Sequence, residues 1–467
     1  MAPTSVDAIK IIQVDVLSEQ ESWSLLKRNA GDAIESSPTM NSVAKEICKE
    51  CGGLPIAIVT IGRAMRGKDL EEWKETALEL KKAKPLNIEG VNDKVYNCLK
   101  LSYDYLEEEE AKFMFWFCCL FPEDFDILIE DLVRYGIGLG IFEDVRIQEP
   151  RNRARSIINN LKEACLLLTS NWEGCIKMHD VVRDVAKSMT SEMYFVKAGG
   201  EKLEEWPNIE NLKRYTAISI MQNQILEYPA SWDYPNLQTL LLRDNSNSQL
   251  PMPEGVLKGM KTLKVLANIS ACRNLELAIG HLTNLRTLIL HDYIVRDTNA
   301  LGELKLLEIL SFKGSRFTVP PSAVRKLTSL KLVDLENCSH PPHTDSILPF
   351  NVVSKLSKVQ ELYMWPPRTS LFDRFGVFEW FSITELKSLP CLTAFAIVIN
   401  NFNRIPVGFS FPDLKVFKMS IGEGGFLTKQ NYLNLCGPIE DPTMVVTKLG
   451  CIKPLLPRTN YLSLSSY

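Results

Sequence analysis

A few stretches of this chain carry residues whose types and spacing could do chemistry. The first is Met178-His179-Asp180, set between a short apolar run and a helical run. A His and an Asp side by side are costly to bury unless they bond something, so the pair marks a joint that meets a polar group. The second is Gly62, Gly67 and Lys68, which have the GxxxxGK spacing of a phosphate-binding loop. Asp69 follows where Ser or Thr is needed to hold magnesium, and an apolar helical run precedes it where a strand is needed. It is therefore read as a coincidence of spacing. An apolar strand ending in paired acids, the usual magnesium partner, is also missing from the sequence. The third is Cys175 and His179, whose spacing suits metal ligands but which lack a second pair, so no metal is expected. No nucleophile–base pattern appears, and the chain is read as non-enzymatic.

Helices must position these residues. Residues 9–16 read as a short strand. Ser18 then caps a helix, with Glu21 completing a capping box. A second helix covers Asn41 to Lys49. Gly52-Gly53 suits its end, and Pro55 suits the first turn of the next helix, where its missing N–H costs nothing. That helix is apolar nearly all round and is expected to be buried. Residues 93–106 are amphipathic. Ala111–Phe121 is densely aromatic but too short to span a bilayer, and Pro122 ends it. Helices over Ile127–Tyr135 and Arg155–Leu161 follow, then a two-stranded ribbon over 166–169 and 176–179, then a helix from Val181 to Ser188. Short helices followed by a ribbon are the layout of a winged helix. That fold often binds DNA, but the helix at 127–135 carries Glu130 and Asp131 and lacks the Arg, Lys and Asn set that reads base edges.

The chain has 467 residues, too many for one hydrophobic core. A net charge of -4 makes no case for nucleic acid or an anionic membrane surface as partner. No signal peptide or transmembrane segment is evident, so a cytoplasmic location is expected. The 12 cysteines are scattered, some inside apolar runs as with Cys118, Cys119 and Cys165, and are read as small hydrophobes in a reducing compartment.

From about residue 210 the pattern becomes leucine-rich repeats of the LxxLxL type. Units start at Leu237, Leu285, Leu307, Leu330, Val359, Leu392 and Leu414, and a degenerate one at Leu263 has Asn268 in its third apolar slot. Asn245 and Cys338 occupy the turn slot after the strand. Pro341-Pro342 and Pro366-Pro367 mark insertions. Alternate strand residues face the core. The others, including Arg243, His291, Ser311, Lys313, Asp334, Glu336, Tyr363, Trp365 and Lys418, are expected on a concave face. Their mixed charges and exposed aromatics fit protein recognition, with Arg243, Lys313, Glu336, Tyr363 and Trp365 as the candidate contacts.

Several motifs then fall together. Val16-Leu17-Ser18-Glu19-Gln20-Glu21-Ser22-Trp23, Gly53-Leu54-Pro55-Ile56-Ala57, Leu101-Ser102-Tyr103-Asp104-Tyr105-Leu106, Phe117-Cys118-Cys119-Leu120-Phe121-Pro122-Glu123-Asp124 and Met178-His179-Asp180 occur in this order before the repeats. In this the chain resembles plant intracellular immune receptors of the nucleotide-binding (NB-ARC), leucine-rich-repeat family, in the coiled-coil class. The resemblance implies an α+β multidomain chain: a helical subdomain and winged helix followed by a leucine-rich-repeat solenoid. Residues 1–90 would hold the tail of the nucleotide-binding domain plus the helical subdomain, 91–195 the winged helix, and 205–467 the repeats. It also implies ADP or ATP as cofactor, with Pro55 near the adenine and His179 on the β-phosphate. A His beside a diphosphate makes a charge-assisted hydrogen bond, and Asp180 could fix the ring. Such a contact prefers one domain arrangement and biases a switch.

The family's P-loop lies upstream of the matched motifs. One His does not replace a cradle of backbone N–H groups, so the chain alone is expected to bind ADP weakly or not at all. The expected partner is a pathogen effector or a guarded host protein, with an intramolecular contact between the repeats and the winged helix. The rival readings are a leucine-rich-repeat adaptor and a winged-helix nucleic-acid binder.

Overall fold

The computed structural model describes residues 16–82, 92–142, 146–198, 203, 206, 213–229, 232–244, 250–267, 272–339, 348–349, 351–366, 382–399, 405–421, 431–436 and 450–465. Its longer helices are α1 (Glu19–Ala30), α2 (Pro38–Glu50), α3 (Pro55–Ala64), α4 (Leu70–Lys82), α5 (Asp93–Asp104), α6 (Glu109–Cys118), α7 (Ile129–Leu139), α8 (Gln148–Glu163) and α9 (Asp180–Thr190). The described chain divides into two compact units. The first gathers the residues up to Cys119, Glu123–Leu128 and Arg155–Thr190; the second gathers Leu120–Pro122, Ile129–Ala154 and everything from Ser191 onward. The stretch 91–195 thus contributes to both.

In the first unit the expected capping box is formed. The Glu21 N–H donates to Ser18 Oγ at 3.4 Å, and the Ser18 N–H donates to Glu21 Oε2 at 2.9 Å. Pro38 and Pro55 each stand in the first turn of their helix, where no backbone donor is lost. The expected strand over 9–16 lies outside the described residues except for Val16. Helix α4 was not legible as a separate element. Its start explains the false phosphate loop: Asp69 Oδ1 accepts from the Glu72 N–H at 3.0 Å, and Glu72 Oε2 accepts from the Asp69 N–H at 2.9 Å. Gly62 belongs to α3, where an added Cβ would stand 3.1 Å from Asn29 Cβ.

The ribbon has three strands, not two. β1 (Ile127–Leu128), β2 (Leu168–Thr169) and β3 (Cys175–Lys177) form an antiparallel sheet in the order β1-β3-β2. Ile127 and Leu128 pair with Ile176 and Cys175, so the helix expected from 127 begins at Ile129 instead. Extended pairing takes these two residues because Ile127 can bury its side chain against the ribbon.

The second unit is built on one twelve-stranded sheet. Its strands are β4 (Tyr194–Ala198), β5 (Ala217–Asn223), β6 (Thr239–Asp244), β8 (Val265–Ala267), β10 (Thr287–Ile289), β12 (Ile309–Ser311), β14 (Leu332–Asp334), β15 (Glu361–Met364), β16 (Ala394–Ile399), β17 (Val416–Ile421), β18 (Tyr432–Cys436) and β19 (Tyr461–Ser465). Each pairs in parallel with its neighbours in this order. Short parallel pairs, β7 (Leu250–Pro251) with β9 (Cys272–Arg273) and β11 (Ile294–Val295) with β13 (Arg316–Phe317), lie beyond the main strands. Every expected repeat start leads into a strand, including the degenerate one at Leu263. The sheet also extends past the expected units at both ends, through β4, β5, β18 and β19. Leu240, Leu266, Leu288, Leu310, Val333, Leu362, Phe395 and Phe417 stack as the continuous core. Cys338 fills its turn slot as expected, its thiol donating to the Phe312 carbonyl at 2.9 Å. Asn245, Asn268, Pro341, Pro342 and Pro367 lie outside the described residues.

Candidate functional site

The first group of site residues sits in the first unit, on helix ends. Gly52 and Gly53 end α2 with positive φ, 63° and 73°. The Gly53 carbonyl accepts from the Leu17 N–H at 2.9 Å. A Cβ on Gly53 would stand 2.6 Å from the Leu17 carbonyl oxygen, so only glycine lets the chain before α1 lie against this turn. Pro55 follows as the first residue of α3, exposed as a ligand contact requires. No side chain caps that helix start.

Met178 is buried, but His179 and Asp180 are both exposed. The expectation of a buried polar pair is therefore corrected. The reason is local: His179 is the residue before α9, and only the Met side of the turn points into the core. The His179 carbonyl accepts from the Arg183 N–H at 2.8 Å, and its Nδ1 accepts from the Val181 N–H at 3.2 Å. The imidazole thus caps α9 as an Asn or Ser would. Accepting at Nδ1 requires the neutral ring to carry its proton on Nε2. An exposed Nε2–H is what an anionic oxygen would need. The ring is fixed by the Val181 N–H, not by Asp180. Asp180 stands in the first turn of α9, where a carboxylate suits the helix dipole. Pro55 and His179 open two helices, α3 and α9, that each pack on α5.

The second group lies in the second unit, on the sheet face opposite the leucine core. The expected open face is not open. Across the strands runs the row Val265, Thr287, Ile309, Leu332 and Glu361, all buried, and beside it the row Ala267, Ile289, Ser311 and Asp334, buried as well. The cover is α7. Gly138 lies against Thr287 and Val265 so closely that a Cβ there would collide with the Thr287 side chain. The Thr287 hydroxyl donates to the Arg134 carbonyl at 2.9 Å, and Arg134 Nη2 donates to Asp334 Oδ2 at 3.0 Å.

Arg151, in the first turn of α8, closes the contact. It donates to both Glu130 oxygens at 2.8 and 2.6 Å, and to both Glu361 oxygens at 2.8 and 2.9 Å. Burial opposes its charge, but its hydrogen bonds to Glu130 and Glu361 more than offset this and raise its pKa. The Ile147 N–H donates to Gln360 Oε1 at 3.0 Å. Nearby, burial pushes the Asp131 carboxyl up despite the pull of Arg134, and Asp131 Oδ1 has no hydrogen-bond partner among the described residues. Burial holds His291 below its ordinary value. This is the expected contact between the winged-helix stretch and the repeats, with the residues that make it now identified.

The candidate recognition residues have different fates. Arg243 is exposed. Lys313 and Glu336 are half-buried and pair with each other at 3.2 Å. Tyr363 is half-buried, and its hydroxyl donates to Glu361 Oε2 at 2.8 Å. Trp365, expected as an exposed aromatic, is only 3% exposed. Lys418 Nζ lies 3.9 Å from its ring centroid, and it packs with Ala396 and Tyr432. The structure gathers Tyr363 and Trp365 into one cluster and leaves Arg243 apart from it. Arg134 and Arg151, which sequence reasoning did not single out, do more here than any of the five. Part of the signal for them was present: the off-core positions Val265, Ile309 and Leu332 of β8, β12 and β14 are apolar, as in strands covered on both faces.

No protein-family model matches the chain. Its curated relatives include the Arabidopsis thaliana disease resistance protein At4g27190, 34% identical over 366 residues, which are 76% of this chain and 36% of that protein. Disease resistance protein UNI of the same plant is 32% identical over 365 residues, 76% of this chain and 40% of its own length. Disease resistance protein RPS5 is 31% identical over 359 residues, 64% of this chain and 40% of its own length. The chain therefore spans roughly a third to two fifths of the relatives it matches. Among solved structures, an internalin C2 of Listeria monocytogenes aligns with a TM-score of 0.33 at 19% identity, over 45% of this chain and 83% of its own. A Leptospira interrogans leucine-rich-repeat protein aligns with a TM-score of 0.38 at 20% identity, over 59% of this chain and 72% of its own. Among the described residues no helix is long and apolar enough to cross a membrane. By its motifs, its repeat sheet and these relatives, the chain belongs to the leucine-rich-repeat family of plant disease resistance proteins.

Proposed function

We propose that this chain is the regulatory and sensing part of a cytoplasmic plant immune receptor and has no catalytic activity of its own. The repeats would recognise a pathogen effector or a guarded host protein. Pro55 and His179 would report on ADP or ATP held by a P-loop module, Pro55 against the base and His179 on a phosphate oxygen.

One observation carries this reading. The His179 ring is held by a backbone N–H on Nδ1, and it sits exposed at the start of a helix. That leaves Nε2–H to donate, the form a diphosphate oxygen accepts. Residues that would cradle the phosphates themselves are not in the sequence, since Lys68 pairs with Glu72 at 3.1 Å and Asp69 caps a helix.

Calorimetry tests the division of labour. The chain alone is expected to bind ADP weakly or not at all. Joined behind a nucleotide-binding module with an intact P-loop, it should gain binding, and His179→Ala should weaken that binding. Low-micromolar binding by the chain alone would overturn the reading, as would an unchanged affinity in the joined His179→Ala variant.

A further inference from the structure

The repeat sheet has a lateral edge, where each strand is entered. Its residues are ordered by backbone hydrogen bonds of 2.7–2.8 Å that step from Arg286 through Glu308, Lys331, Gln360 and Thr393 to Lys415. In the loops just before this row stand Lys261, Lys305 and Lys358, all exposed. Behind them the tight turns Asn299–Glu303, Ser322–Lys326, Val353–Lys355 and Ile383–Ser388 stack in order. These add Arg325, Lys326, Lys355 and Lys387, again exposed.

Acids are few on this edge, and most are engaged. Glu308 pairs with Lys331 at 2.7 Å and with Arg286 at 3.6 Å, and Asp413 pairs with Arg458. Glu303 is exposed. A groove of about 250 Å³ opens among Arg286, Leu306, Glu308, Ser329, Lys331 and Lys358. Strands in a sheet lie ~4.8 Å apart, so this cationic field runs for roughly 30 Å. The chain's net charge of -4 conceals it, because the balancing acids lie elsewhere.

The geometry points to this edge as a docking surface for an anionic lipid bilayer. The composition selects among polyanions. A single-stranded nucleic acid needs exposed aromatic platforms for its bases, and the ring that stands beside these cations, Phe409 at 5.8 Å from Lys387 Nζ, is buried. Protein interfaces enrich aromatics and Arg and deplete Lys, whereas lysine dominates here. A lipid surface asks only for many mobile positive charges held close to one plane. Leu306, 45% exposed beside the groove, adds the one apolar side chain there that could enter the headgroup layer.

Sedimentation with vesicles tests this on the full chain. Phosphatidylcholine vesicles that also contain phosphatidylserine should retain the protein, and pure phosphatidylcholine vesicles should not. Retention should fall steeply with added salt. Changing Lys261, Lys355 and Lys358 to Gln should weaken partition roughly a hundredfold, since each such charge is worth about a fivefold change. These side chains are exposed, so folding is spared. The same change at Lys45, Lys49 and Lys81, outside the edge, should leave retention unchanged. Retention by neither vesicle, equal retention by both, equal loss in the two variants, or retention of duplex DNA in place of vesicles would each overturn the proposal.

Discussion

The two regions that carry this protein's polar residues use them in opposite ways. Around Met178-His179-Asp180 the charges and donors face solvent, and the backbone alone holds them in position. On the repeat face Arg134, Arg151, Asp334 and Glu361 face each other and are nearly closed to water. Polar groups left exposed and oriented suit a ligand that comes and goes. Polar groups enclosed and mutually paired hold one arrangement of the chain, because removing one partner leaves the other stranded. By this contrast, substitutions on the repeat face should cost stability, and those at the Met-His-Asp corner should cost binding.

The largest effect is expected at Arg151. Its side chain is 11% exposed, and that of Glu361 is 3% exposed. Arg151→Met would leave Glu130 and Glu361 without their shared cation, at a cost of about 3 kcal/mol or more. Urea unfolding followed by tryptophan fluorescence would read the loss, and amide exchange should rise in α7. Adding Glu361→Gln should recover part of it, because the double variant strands fewer charges. A cost near zero for Arg151→Met would end the view of this contact as a lock.

A smaller loss is expected at Gly53, in the buried turn between α2 and α3, and for a backbone reason. Gly53→Ala places a Cβ against the Leu17 carbonyl at a φ of 73°. The strain should cost on the order of 2 kcal/mol. The measurement is the melting temperature of the chain, with Gly67→Ala as the reference, since its φ of 78° meets nothing within 4 Å. Equal losses in the two variants would show that φ alone matters, and not the approach of Leu17.

Asp131 sharpens the contrast through pH. Its carboxyl is raised by burial, so the folded chain holds a proton there more tightly than the unfolded chain does. Ionisation therefore works against folding above the ordinary carboxylate range, and the cost disappears as pH falls below it. Asp131→Asn should stabilise the protein at neutral pH and do nothing in acid. His291 works in the other sense. Its lowered pKa gives stability that is present above its ordinary value and lost as pH falls through the folded one. His291→Gln should therefore flatten the acid limb of a stability–pH curve.

Much of this was legible in the sequence because local rules wrote it. Ser18 and Glu21 announced their capping box, Pro55 its helix start, and LxxLxL its strands. What escaped depended on distant residues. Glu130 and Asp131 read only as acids that count against a DNA-reading helix, until Arg151 and the repeat face met them. Trp365 read as exposed because period two assigns it a face but does not say what covers that face. Ile127 and Leu128 passed for helix because their strand partner lies some fifty residues on, at Cys175 and Ile176. The apolar off-core positions Val265, Ile309 and Leu332 were the readable sign that the repeat face carries a cover.

The smallest effect on stability is expected at His179 itself. His179→Ala removes a side-chain cap from α9 and should cost about 1 kcal/mol or less. His179→Asn supplies another acceptor to the Val181 N–H and should restore that loss, yet it has no imidazole to offer a phosphate. The pair of variants therefore separates capping from sensing. In a receptor with its P-loop module, both should lose the nucleotide contact, while only the alanine variant melts earlier. If the asparagine variant kept full nucleotide affinity, the ring would be a helix cap and nothing more, and the contrast between the two regions would fail at the residue where it is sharpest.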